Sequence, residues 1–246
     1  MRIISLVPSL TELLFDLDLG DHMVGRTKFC IHPKEKVKFI PKIGGTKTVK
    51  IDSIKALQPD LIIANKEENT KEDIEALQSI AQLYISEIAN FEDALEAIKR
   101  IGHLTHRVDK SEKLIENIRS AFHQLHEDRK DRKSVCYLIW NKPLMTIGHD
   151  TFIHDMLDCC GYDNVFGNCD RYPETTFSEI QKKHPDFIFL SSEPFPFKER
   201  HITEFTEKCP DTKVFLVDGE YFSWYGSRMV GAASYFKSLK IEINKP

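Results

Sequence analysis

The sequence predicts an α/β fold of two related halves, each built on a parallel sheet and joined by one long helix, and three observations carry that prediction. The first is an internal repeat: Ile54, Leu57, Pro59, Asp60, Leu61, Ile62 and Ile63 are answered 126 residues later by Ile180, Pro185, Asp186, Phe187, Ile188 and Phe189. The second is the form of each copy, a short helix, a Pro-Asp break and a continuous apolar run. That form belongs to a strand covered on both faces in a parallel sheet. The third is a long amphipathic stretch lying between the copies.

In chain order, Ile3 to Val7 reads as a strand and Ser9 to Leu19 as a helix, with Ser9 and Glu12 as an S-x-x-E capping box and Gly20 as its C-terminal glycine. Gly44 to Thr48 has only a weak likeness to a phosphate loop, because position 40 is Ile and Lys47 does not follow a glycine. A turn before a helix at Ile51 is the expectation. Asp109 with Glu112 opens the long helix, whose apolar stripe is Leu114, Ile115, Ile118, Phe122 and Leu125. It runs to about Arg132, and the charged run from Glu127 to Lys133 ends it. Val135 to Ile139 then takes the part of the first strand, Thr151 to Leu157 that of the first helix, and Val214 to Val217 is a later strand. The expected division is an N-terminal lobe at 1–107, a linker helix at 108–132 and a C-terminal lobe at 133–246.

Composition bounds the function. The 246 residues carry 34 Lys plus Arg against 38 Asp plus Glu, a net charge of −4, and no block of like charge forms the basic stripe that a nucleic-acid clamp needs. No nucleic-acid partner is expected. Asp16 and Asp18 interrupt the one early apolar run, so no membrane span is expected. Without a basic start and a cleavage site the sequence shows no export address; as written the chain is expected in the cytoplasm, and in the periplasm if a leader has been removed. Cys30, Cys136, Cys159, Cys160, Cys169 and Cys209 show no C-x-x-C pair and are expected as free thiols, which suits a reducing compartment.

Enzyme motifs are scarce: there is no G-x-G-x-x-G, G-x-S-x-G or H-E-x-x-H. His103 with His106, and His123 with His126, stand three apart on helical stretches and are read as solvated faces. Aromatic residues are more informative, because in parallel sheets the carboxyl ends of strands line the ligand crevice. Trp140 and Asn141 follow one strand, and Tyr221, Phe222, Trp224 and Tyr225 follow another. These either cap the core or form a contact between lobes, or they wall a large flat or apolar ligand. The repeat also sets acids in register, Glu67 with Glu193 and Asp73 with Glu199, where an arginine-bearing partner can be gripped by each half; Lys66, Lys71 and Lys198 stand close by.

Taken together, Ile4-Ser5-Leu6-Val7-Pro8-Ser9 leading into Thr11-Glu12-Leu13, Val24-Gly25, Pro59-Asp60-Leu61-Ile62, Pro143-Leu144-Met145-Thr146, and Gly161 with Asn164-Val165-Phe166 resemble the helical-backbone (class III) substrate-binding proteins of ABC importers. The resemblance is to the cobalamin-binding branch, with iron-siderophore binders as cousins, and covers nearly the whole chain. It implies two Rossmann-like lobes joined by a single long helix, a ligand held in the cleft without being transformed, and a monomer. It carries Phe29, His32, Trp140, Met145, Tyr172, Glu220, Tyr221 and Trp224 over as ligand-binding positions. Arg26, Arg171 and Arg228 are the cations within reach. Two positions where the importers have tryptophan are Thr46 and Asn65 here. His32 is the metal candidate, an imidazole able to ligate cobalt through a neutral ring nitrogen, the alternative being a loop histidine hydrogen-bonded beside Pro33. In this family one acid per lobe docks on the permease, which is the part Glu67, Asp73, Glu193 and Glu199 would take.

The expected function is non-enzymatic binding of cobalamin or another corrinoid metal chelate, for ABC-type uptake or intracellular handling, with no intrinsic cofactor. One alternative keeps the fold and binds an iron-siderophore or haem. Others are a corrinoid-related enzyme using Asp218, Glu220 or His32, and a module that binds a protein instead.

Overall fold

The computed structural model describes residues 1–126 and 132–243, and it is a mixed α/β fold with two parallel sheets. The part of the expected linker helix and of its charged end that falls on residues 127–131 lies outside the described residues.

The chain divides into two compact units. The first holds Met1–Ile88, Glu92–Ile118 and Trp224–Met229; the second holds, among the described residues, 89–91, 119–126, 132–223 and 230–243. In chain order the first half runs β1 (Ile3–Ser5), α1 (Pro8–Asp16), β2 (Met23–Arg26), α2 (Lys34–Val37), β3 (Gly44–Gly45), β4 (Thr48–Val49), α3 (Ile51–Ala56), β5 (Leu61–Asn65), α4 (Lys71–Leu77), β6 (Gln82–Ser86) and α5 (Phe91–Leu104). Then α6 (Val108–His126) continues from residues of the first unit into residues of the second. The second half runs β7 (Lys133–Leu138), β8 (Leu144–Met145), α7 (Phe152–Cys159), β9 (Tyr162–Asn164), β10 (Glu174–Thr175), α8 (Phe177–Lys183), β11 (Phe187–Ser191), α9 (Glu199–Lys208), β12 (Lys213–Val217), α10 (Gly219–Ser223) and α11 (Met229–Ile243).

The two large sheets have the same design. One has the order β2-β1-β5-β6 and the other, read in the matching direction, β9-β7-β11-β12, with every pairing parallel. The repeat of the sequence is thus a repeat of topology: β5 and β11 hold corresponding places, and all five residues of each are buried. Continuous apolar sequence is what a strand covered on both faces requires. Around them the cores correspond in part residue by residue, Ile54, Ile62 and Ala64 in one, Ile180, Ile188 and Leu190 in the other.

The Pro-Asp break has a physical purpose in both copies. Asp60 accepts the backbone N–H of Arg2 at 2.6 Å, and Asp186 accepts the backbone N–H and the hydroxyl of Ser134, each at 2.8 Å. Each carboxylate therefore ties the start of its strand to the start of the neighbouring central strand. These charge-assisted bonds, with Lys133 nearby, hold the Asp186 carboxyl below the usual range for an aspartate.

The first helix departs from expectation at both ends. Val7 is its N-cap and Pro8 occupies the first turn, so no Ser9–Glu12 box forms and no side chain caps the helix. Proline fits the first turn because it has no N–H to satisfy, and it moves the start upstream of Ser9. The helix ends at Asp16; the left-handed residue after it is Asp18 (φ 55°), and Gly20 instead begins a short 3-10 turn. Gly20 is there for space, since a Cβ would lie 2.6 Å from the Phe15 ring. The Gly44–Thr48 stretch is part of the tight β3–β4 hairpin, with Gly44 at φ +121° where a Cβ would meet the Thr48 carbonyl at 2.3 Å. In α6, Ile118, Phe122 and Leu125 are buried, and Phe122 meets Phe91 and Phe236 within the second unit.

Candidate functional site

In the first unit the loop after β2 is organised by Arg26. Its guanidinium is buried and donates from Nε to the Val37 carbonyl at 3.0 Å and from Nη1 to the carbonyls of Thr27 and Cys30 at 3.2 and 3.0 Å. Arg26 is therefore a scaffold residue and not the ligand-facing cation expected for it. Burial drives this choice, since a buried guanidinium must have its donors satisfied. The scaffold presents Phe29, which is 49 % exposed with Lys28 Nζ 4.8 Å from its ring centre, and His32, which is half-buried.

His32 meets Trp224 edge-on, centroids 5.3 Å apart with the planes at 79°. The guanidinium of Arg228 lies 4.6 Å from the Trp224 ring centre and donates to both carboxylate oxygens of Glu12, at 2.8 and 2.7 Å. A two-pronged ion pair with little exposure of either partner thus holds an arginine over an indole. All four residues belong to the first unit, Trp224–Met229 returning to it from the far end of the sequence. Thr46, one of the changed tryptophan positions, accepts on its carbonyl from Asn69; Asn65, the other, is buried and bonds to Ser86 and to the backbone of Glu67 and Glu68.

In the second unit Trp140 follows β7, is 39 % exposed, donates from Nε1 to the Lys142 carbonyl at 3.2 Å and meets Phe195 edge-on at 5.7 Å. Met145 closes the same turn, its N–H bonding the Trp140 carbonyl at 3.1 Å. Tyr172 is half-buried with Arg171 over its ring at 5.6 Å. Glu220 and Tyr221 lie on α10, where Asp218 accepts the Glu220 N–H at 3.0 Å and Tyr221 stacks on Tyr235 at 4.7 Å. The aromatic run after β12 divides its labour: Phe222 is fully buried against Phe236 and Tyr137, Tyr221 packs on α11, and Trp224 and Tyr225 are each 7 % exposed. The exposed aromatics at strand ends are Phe29 and Trp140. Phe195 was not singled out from sequence, and its only signal was an aromatic placed shortly after a buried strand.

Glu67 and Glu193 sit in equivalent local structures, whereas Asp73 is the third residue of α4 and Glu199 the first of α9. Glu67 follows β5 with its N–H on Asn65 Oδ1 at 2.8 Å; Glu193 follows β11 with its N–H on Ser191 Oγ at 3.3 Å. Asp73 and Glu199 stand in the first turns of α4 and α9. The pairs differ in availability: the Glu193 carboxylate accepts from Ser223, whereas Glu199 is exposed and Asp73 half-buried. Lys66 pairs with Glu87 and Lys71 with Glu75.

Among the described residues, one group of His, Cys, Asp and Glu side chains is close enough to hold a metal ion, His149 with Asp150 and Asp170, their ligating atoms within 4.8 Å. Arg171 lies 4.0 Å from Asp150, and His149 Nδ1 is 2.9 Å from the Cys169 carbonyl. His103, His106 and His123 are exposed. All six cysteines are free thiols, and burial pushes those of Cys30, Cys136 and Cys209 up, which keeps the reactive thiolate scarce. No helix among the described residues is long and apolar enough to cross a membrane.

Two α/β units of one strand order, each offering loops at the carboxyl ends of a parallel sheet, define a class of two-unit ligand-binding proteins. The chain belongs to the periplasmic binding protein family, whose profile matches residues 3–211. It is 26 % identical over 194 residues to a vitamin B12-binding protein of Vibrio campbellii, covering 77 % of this chain and 70 % of that one. Among solved structures it shares the fold of the periplasmic vitamin B12 binding protein BtuF of Vibrio cholerae (TM-score 0.83, 22 % identity, 99 % and 98 % covered). It also shares that of the periplasmic heme-binding protein RhuT from Roseiflexus sp. RS-1 (TM-score 0.84, 19 % identity, 98 % and 96 % covered).

Proposed function

We propose that the protein binds cobalamin or a related corrinoid without transforming it and hands it to an ABC-type permease. The observation that carries this reading is the exposed aromatic at a strand end in each unit, Phe29 after β2 and Trp140 after β7. Flat apolar faces of this kind suit a corrin ring, and amide side groups of the ligand find acceptors in Glu220 and in loop carbonyls. Met145, Tyr172 and Tyr221 complete the contact set, and Trp224 stands beside His32, the residue we assign to cobalt when the upper ligand is exchangeable. Vitamin B12-binding relatives support corrinoid over haem as the first ligand.

Binding without turnover is supported at Asp218, one of the groups an enzyme would use, whose carboxylate is engaged by the Glu220 N–H at the start of α10. For docking we assign Asp73 and Glu199, each in the first turn of a helix, ahead of Glu67 and Glu193, because the Glu193 carboxylate already accepts from Ser223. The free thiols fit a reducing compartment, yet their burial also suits the periplasmic setting in the relatives' names, which we favour because a permease is met there.

The test is a calorimetric titration with cyanocobalamin, with haem and a ferric hydroxamate as parallel ligands. Submicromolar binding of cyanocobalamin and weaker binding of the others is the expected result. Tighter binding of haem, or no heat with cyanocobalamin, would overturn the assignment.

A further inference from the structure

Residues 28–50 of the first unit carry seven lysines and a single acid, Glu35, a net charge of +6 within a chain whose net charge is −4, so the remainder is net −10. All seven lysines are exposed, and Glu35 is tied to Lys38 at 2.5 Å. Amid them stands Phe39, 80 % exposed, the most exposed large apolar side chain of the described residues, with Lys38 Nζ 5.2 Å from its ring centre. Ile31 is 45 % exposed and Pro41 is exposed as well. Water is a poor environment for so large a ring, and nothing in the fold covers it.

The segment is held in a definite shape. The Arg26 guanidinium bonds the carbonyls of Cys30 and Val37, bringing the Ile31 and Phe39 neighbourhoods onto one anchor. The Arg26 N–H bonds the Pro41 carbonyl at 3.0 Å and the Lys28 N–H bonds the Gly44 carbonyl at 2.8 Å. A basic rim around protruding apolar side chains is therefore presented as a unit.

We propose that this surface docks on an anionic lipid bilayer, with Phe39 and Ile31 entering the interface and Lys34, Lys36, Lys38 and Lys42 meeting the headgroups. Aliphatic as well as aromatic side chains stand exposed at the patch, which suits an apolar slab better than stacked bases. Lysine contributes electrostatically near such a leaflet, and a phenylalanine ring settles at its boundary. Bilayer contact would keep a loaded binding protein in two dimensions, near its permease.

The experiment is flotation of the whole protein with large unilamellar vesicles of phosphatidylcholine, with or without about a third phosphatidylglycerol, at low and high salt. Binding to the anionic vesicles only, abolished by high salt, is the expected result. Lys34→Gln, Lys36→Gln, Lys38→Gln and Lys42→Gln together should weaken it at least about thirtyfold, and Phe39→Ser severalfold. The substituted side chains are exposed and outside the assigned ligand set, so cyanocobalamin affinity and the circular dichroism spectrum should not change. Failure of the wild type to float with anionic vesicles would overturn the proposal, as would full binding by the four-lysine variant. So would tight binding to heparin or an oligonucleotide that Phe39→Ser leaves unchanged.

Discussion

β5 and β11 stand 126 residues apart at the same place in the two sheets, yet one ends in an amide and the other in a hydroxyl. Asn65 donates to the carbonyl and hydroxyl of Ser86, each at 3.1 Å, and accepts the Glu67 N–H. Ser191 accepts from the Tyr137 hydroxyl at 3.0 Å and from the Glu193 N–H, and donates to the Glu193 carbonyl at 2.6 Å. Both buried groups tie the loop after the strand to a neighbouring strand. The comparison teaches that the repeat preserves a task, fixing the strand-end loop, while the aromatic residues at other strand ends are free to diverge: exposed Phe29 beside a half-buried His32 and a buried Trp224 in one unit, exposed Trp140 against a half-buried Phe195 in the other.

The sharpest way to break the comparison is through the matched strands. Phe189 and Ile63 are corresponding, fully buried residues. Phe189→Ala should lower stability by about 4 kcal/mol and Ile63→Ala by about 3 kcal/mol, the larger cavity having the larger effect. Urea unfolding checks both, and equal small losses would refute the shared core design.

A smaller effect tests the Glu12–Arg228 pair of the first unit. Glu12→Gln leaves Arg228 with a neutral partner in a largely buried setting and should cost about 2 kcal/mol. It should also shift Trp224 emission, because the guanidinium over the indole loses its anchor. Stability and emission unchanged from wild type would show the ion pair to be ornamental.

What was legible in the sequence follows the same division. β5, β11 and the buried stripe of α6 could be read because their signals are local, an apolar run after Pro-Asp and a 3.6-residue period. The Glu12–Arg228 pair joins residues 216 apart, so no spacing announces it, and Glu12 passed instead for half of a capping box that Pro8 displaces. Likewise the run Tyr221 to Tyr225 reads as one aromatic group, although packing sends Phe222 into a core and Trp224 to the other unit. Side chains chosen by distant partners are invisible to periodicity. Arg26 was misjudged for that reason, its carbonyl partners being set by loop geometry.

Two finer measurements sharpen the comparison. Asp186 has its folded pKa depressed, so its contribution to stability is present above the unfolded value and is lost as pH falls through the folded one. Asp186→Asn should therefore cost about 1 kcal/mol at neutral pH, a modest figure because the carboxylate is partly exposed. The difference from wild type should shrink as pH falls below 3.8, the ordinary value; a difference constant with pH would exclude the charged hydrogen bonds as its source. The equivalent helices α3 and α8 differ in their caps: Thr176 forms a full box with Glu179, whereas Lys50, at the matching position, caps nothing. Thr176→Ala should cost somewhat under about 1 kcal/mol and Lys50→Thr should gain about half that, as thermal midpoints would report.

Our proposal that Phe29 and Trp140 contribute to holding a corrinoid is checked by the calorimetric affinity of the Phe29→Ala, Trp140→Ala double variant for cyanocobalamin. A loss of about a hundredfold or more is expected, from two flat contacts removed. An affinity equal to that of the wild type would contradict it.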